Sequence, residues 1–140
     1  MKSQAIVAYG APLEEVTSDL PAPKGTEVVV KITHSGVCHS DVHLQDGHVD
    51  LGDGDKLDWS KGRTLPHTLG HEIEGTLSAV GPDAQGLLEG RSVGQRFVVF
   101  PWIGCGECAT CKRDQEHICN KPRQLGIQVA GGYSEYVLVP

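Results

Sequence analysis

No apolar run in these 140 residues is long enough to cross a bilayer, and the longest late one, Phe97–Ile103, falls far short of the ~20 residues a helical span needs. A signal-peptide core is missing as well, because the apolar stretch around Ala5–Ala8 stops at Gly10 and Pro12. No membrane partner is expected, and a cytoplasmic, reducing location is. Basic residues are scarce, with 12 Lys and Arg against 18 Asp and Glu, and none of them cluster. That balance, a net charge of −6, excludes the electrostatic footprint of a nucleic-acid binder. Repeats, low-complexity tracts and a dividing linker are absent too. The chain therefore reads as one domain, residues 1–140, with a sizeable core.

Helical periodicity is sparse, and β pattern takes its place. Ala5–Tyr9, Glu27–Ser35, Ile73–Val80, Arg96–Phe100 and Tyr133–Val139 are short β-branched or aromatic runs bounded by Gly and Pro. Within Glu27–Ser35, Val28, Val30 and Ile32 alternate with Val29, Lys31 and Thr33, as a strand with one face in the core requires. Pro21-Ala22-Pro23 and Gly81-Pro82-Asp83 mark turns. Short helices are expected from Ser40, as an N-cap, and between Cys111 and Ile118. The acidic stretch Asp50–Asp58 lacks the glycine and glutamate of a calcium-binding EF-hand and reads as a solvated surface loop.

Four of the five cysteines fall as Cys105-x-x-Cys108-x-x-Cys111-x7-Cys119. That spacing can wrap four thiolates around one tetrahedral ion, for which zinc is the expected metal. Disulfides are the competing account, disfavoured by the odd cysteine count and the missing export signal. A set of four protein ligands leaves no position for substrate, so this lobe is expected to be structural. Gly104-Cys105-Gly106-Glu107-Cys108-Ala109 also satisfies a dinucleotide-binding Gly-x-Gly-x-x-Gly/Ala pattern, but its context after Pro101 and its zinc-binding cysteines argue against that reading. The fifth cysteine, Cys38, lies in Gly36-Val37-Cys38-His39-Ser40-Asp41-Val42-His43, and Gly70-His71-Glu72 follows later. Cys38 and His71 suit zinc, although by themselves a buried cysteine and a core histidine are the more common account of such a pair.

Taken in order, the Cys38 segment, the Gly-His-Glu segment, the four-cysteine lobe and Gly131-Gly132-Tyr133-Ser134-Glu135-Tyr136-Val137 closely resemble the zinc-dependent medium-chain alcohol dehydrogenases. The resemblance implies a mainly β, GroES-like irregular antiparallel barrel with a zinc-binding lobe and few short helices. It also implies a Rossmann domain and a third catalytic-zinc ligand in sequence beyond Pro140, so the 140 residues alone are expected to be inactive. The implied activity is oxidation of small alcohols to aldehydes or ketones with NAD or NADP, by a homo-oligomer when full length. A stand-alone zinc-stabilised β module that binds or assembles without catalysis is the alternative.

The same resemblance distributes roles. Cys38 and His71 become ligands of a catalytic zinc, which acts as Lewis acid on the alcohol. Glu72 becomes an acid near that metal, against an ordinary salt bridge. Asp41 becomes the carboxylate that fixes the ligand imidazole, against a plain helix-start aspartate. Ser40 takes the alcohol proton and passes it toward His43, which in isolation reads as a surface histidine. His39 faces the cofactor diphosphate, and Trp102 lines the substrate pocket or is simply a core tryptophan. His34, His48, His67 and His117 match no ligand position.

Overall fold

The computed structural model describes residues 1–140, and its framework is antiparallel sheet throughout. The central sheet has four strands in the order β11-β3-β7-β8, formed by Tyr136–Val139, Val28–Gly36, Glu72–Val80 and Arg96–Val99. A second sheet sets β2 (Glu14–Thr17), β1 (Lys2–Ile6) and β6 (His67–Thr68) side by side. Two hairpin-like pairs complete the framework: β4 (His48–Gly52) with β5 (Asp55–Asp58), and β9 (Trp102–Ile103) with β10 (Arg123–Gln124). The sheets remain separate and do not join into a closed barrel.

The long run at β3 forms because its β-branched residues fit a pleated, half-buried surface. Val29 and Val30 are both buried, which departs from simple alternation. The reason is a register shift between them in the β3–β7 pairing, which re-aims the strand locally. Sequence alternation cannot register such a bulge. The acidic stretch is also more ordered than its composition implies: Asp50–Asp58 belongs to the β4–β5 hairpin, closed by Asp53 (φ 53°) and Gly54 (φ 89°) in left-handed conformation. It is exposed nonetheless.

Helix α1 (His39–Asp46) starts two residues earlier than a Ser40 cap would place it. Cys38 is the N-cap, its sulfur accepting the Ser40 N–H, and Asp41 completes a capping box by accepting the Cys38 N–H. Gly47, at φ 78°, ends the helix in the left-handed conformation that favours glycine. The expected second helix resolves into two single 3₁₀ turns, Cys111–Arg113 and Glu116–Ile118, separated by Asp114 at φ 56°.

Two apolar clusters hold the framework. One joins Val30, Ile73, Val99, Leu125 and Val137 within the central sheet. The other joins Ile6, Leu44 and Leu69, packing α1 against the second sheet. Burying each of these side chains contributes roughly 1.5–3 kcal/mol. Leu69 belongs to one cluster and Ile73 to the other, so His71, midway between them, is anchored from both sides.

Candidate metal centres

The four sulfurs of the lobe converge without bonding to one another. Cys105 and Cys111 approach to 3.9 Å, Cys108 and Cys111 to 3.5 Å, and Cys108 and Cys119 to 3.9 Å. A tetrahedron of thiolates at the usual zinc–sulfur distance has edges of about 3.8 Å, so the cage has the right size for that ion. Gly104 lets the chain pass close, since a Cβ there would sit 2.6 Å from the Cys111 sulfur. Backbone N–H groups of Cys108, Cys111 and Lys121 point at Cys105, Cys108 and Cys119 respectively. The thiols respond unequally. The Thr110 hydroxyl, 2.8 Å from Cys108, and the Cys111 N–H bring the Cys108 thiol down to about 5, whereas burial pushes Cys111 up to about 12. Four sulfurs this close resist ionising together, and a divalent cation is the charge that reconciles them.

The second cluster is assembled across the fold. Cys38, at the head of α1, and His71, just before β7, bring Sγ and Nε2 to 3.1 Å. Asp41, buried to 3 % exposure, stands behind both. One carboxylate oxygen accepts the Cys38 N–H at 3.0 Å, and the other accepts the Gly70 N–H at 3.3 Å while lying 3.6 Å from His71 Nδ1. That Nδ1 is buried and has no hydrogen-bond partner, and the Asp41 carboxylate is the one it faces. Asp41 is thus helix-start aspartate and imidazole neighbour at once. The donor set, a thiolate and an imidazole oriented by a carboxylate, fits zinc.

The remaining candidates fall into place unevenly. Glu72 is exposed, pairs in register with Gly36 and lays its carboxylate along that glycine's bare Cα, outside the cluster of Cys38, Asp41 and His71. Both His71 and Glu72 nevertheless line an open cleft of about 490 Å³, walled by Val99, Phe100 and Pro101. Trp102 is not among the residues lining this cleft and stands in β9 opposite Gln124. Ser40 is half-buried on the first turn of α1, and His39 and His43 stack on the same helix with ring centroids 4.4 Å apart. His67 is buried, and burial, with Arg63 nearby, lowers its pKa below 6.5.

Two aromatic neighbours have no signal in the sequence. Trp59, reached through the β4–β5 hairpin, meets the edge of His43 at 6.2 Å. Tyr133 donates its hydroxyl to the Gly36 carbonyl at 3.4 Å, and burial followed by the Asp41 charge raises its pKa. Only the non-local pairing of the chain ends brings it there.

Comparison with known proteins identifies the family of the fold. Residues 24–140 match the family described as the alcohol dehydrogenase GroES-like domain. An NAD-dependent alcohol dehydrogenase of Sulfurisphaera tokodaii is 42% identical over 140 residues, covering 100% of this chain and 38% of that relative. A crystal structure of an NAD-dependent alcohol dehydrogenase superposes with a TM-score of 0.83 at 30% identity, over 100% of this chain and 37% of the other. A cobalt- and zinc-bound thermostable alcohol dehydrogenase from Pyrobaculum aerophilum gives 0.79 at 28% identity, over 100% and 39%. The chain thus spans well under half the length of the relatives it matches.

Proposed function

The chain belongs to the alcohol dehydrogenase GroES-like domain family, and from that premise we propose that residues 1–140 form the zinc-binding catalytic domain of an NAD- or NADP-dependent dehydrogenase interconverting small alcohols with aldehydes or ketones. The observation that carries this reading is the meeting of Cys38 Sγ and His71 Nε2 at 3.1 Å, with Asp41 behind them and a complete four-sulfur cage elsewhere. A zinc held by Cys38 and His71 supplies Lewis acidity, lowering the pKa of an alcohol hydroxyl so that hydride can leave for nicotinamide.

The side chains of this domain do the rest. Asp41, whose carboxylate oxygen lies 3.6 Å from His71 Nδ1, is the group toward which that N–H turns when Nε2 binds, which fixes the tautomer. The Ser40 hydroxyl takes the alcohol proton as it releases its own, and His43 is the base at the far end of that route. His39, exposed beside them, faces the cofactor diphosphate. Glu72 lines the same cleft as His71, where its carboxylate would be the acid near a metal held by Cys38 and His71. Cys105, Cys108, Cys111 and Cys119 hold a second zinc whose role is to order the lobe. The nucleotide-binding domain and a third catalytic ligand belong, on this reading, to the remainder of a longer enzyme.

The test uses that full-length enzyme. Cys38→Ser should reduce alcohol-dependent NADH or NADPH formation by more than about 1,000-fold at every pH, as expected when the group that polarises the substrate is lost. Bound zinc should fall from two ions to one per chain. Activity retained without that zinc would overturn the reading.

A further inference from the structure

Helix α1 carries a second constellation of metal-binding side chains that neither cysteine cluster uses. His39 and His43 are one helical turn apart, and their rings stack with centroids at 4.4 Å and planes inclined by only 24°. Two histidines spaced i, i+4 project from one helix face, the arrangement by which helices chelate transition metals. The accessibility of the two differs usefully. His39 is exposed, so its ring can turn about χ2 to bring a nitrogen toward its neighbour. His43 is half-buried, with Trp59 set edge-on at 6.2 Å and 86°.

We propose that His39 and His43 form a two-imidazole site for a borderline divalent cation, of which nickel is the redox-inert probe, separate from both cysteine-containing clusters. Imidazole suits nickel, copper and zinc, and water completes the coordination. The helix supplies the affinity: once one ring has bound, the other is already adjacent, and such linkage raises affinity well above that of single surface histidines such as His34, His48 and His117. Cation binding itself does not depend on the functional reading above. A consequence that does rest on it is competition with the dinucleotide, because His39 faces the cofactor diphosphate there.

The experiment titrates nickel chloride into zinc-loaded protein and follows tryptophan emission, which a paramagnetic ion at His43 quenches through Trp59. Free zinc is measured in parallel. Quenching should saturate without zinc release, and His39→Asn or His43→Asn should each raise the nickel midpoint by at least about tenfold, since either change leaves a single imidazole. The double variant should be no weaker than the singles beyond about twofold, the signature of one shared site. His39 is exposed, so its substitution leaves both apolar clusters untouched. Unchanged midpoints in the single variants, multiplicative losses in the double variant, or quenching that tracks zinc release would each overturn the proposal.

Discussion

The lobe and the Cys38–His71 centre use the same sulfur chemistry but are built at opposite ranges. All four lobe sulfurs come from Cys105–Cys119, where 3₁₀ turns and glycines aim them inward and neighbouring N–H groups support them. Only the flanking Gly104 and the Lys121 N–H reach in from outside this stretch. The other centre takes its sulfur from a helix cap and its nitrogen from the approach to β7, and it needs Asp41 to tie the two segments together. A local site is complete wherever its loop folds. A site assembled across the fold inherits its geometry from the whole domain, which makes it adjustable and leaves room for a substrate.

Removing one sulfur from the lobe should give the largest effect that breaks this contrast. Cys108→Ser should release the lobe zinc and, because a structural zinc contributes on the order of 10 kcal/mol to ordering, amide exchange across residues 104–120 should accelerate sharply. The Cys38–His71 zinc should stay. Unchanged exchange in the lobe would show that it orders without metal.

A smaller effect is expected from Asp41→Asn, which turns one accepting oxygen into a donor facing the N–H groups of Cys38 and Gly70. Zinc affinity at the Cys38–His71 centre should weaken by about 10- to 100-fold, and stability by about 1–3 kcal/mol for the unsatisfied buried donor. Competition with a chelator measures the first and urea unfolding the second. Equal weakening at both zinc sites would erase the distinction between them.

The smallest effect sharpens the comparison through His67, whose Nε2 donates to the Gly126 carbonyl at 3.3 Å and which belongs to neither cysteine-containing cluster. Burial lowers its folded pKa below 6.5. As pH falls past 6.5, the unfolded chain takes up a proton that the folded form refuses, so this contribution is fully present above 6.5 and is lost on acidification. His67→Gln keeps a donor without the titration. Its stability should therefore fall less than that of the parent between pH 7.5 and 5.5, as measured by urea unfolding. Parallel losses would place the acid sensitivity elsewhere.

Legibility in the sequence follows the same division of range. The cage could be read directly, because Cys105, Cys108, Cys111 and Cys119 carry their geometry in their spacing. Strands of both larger sheets were legible from β-branched runs, with their ends shifted by a few residues: Tyr133–Val139 narrows to Tyr136–Val139 in the central sheet, and Ala5–Tyr9 moves to Lys2–Ile6 in the second. The β4–β5 hairpin was hidden by its acidic composition, since exposed strands need no apolar alternation. At the second centre, residue identities were legible only through family resemblance. The roles of Tyr133 and Trp59 were not, because each reaches the site through a pairing that no local pattern encodes.

Behind His71 the chain crosses itself with almost no side chains between. Gly70 holds φ 94°, and a Cβ there would press to 2.6 Å from the Tyr133 ring and 2.9 Å from its backbone nitrogen; Gly126, Gly131 and Gly132 come equally close. The Gly132 and Tyr133 N–H groups donate to the carbonyls of Gly70 and Leu69. For anyone recombining such domains, residues 126–133 are therefore inseparable from residues 67–73. A crossover placed between Cys119 and Leu125 would exchange an apparently remote tail and, with it, the backing that sets the direction of the His71 imidazole.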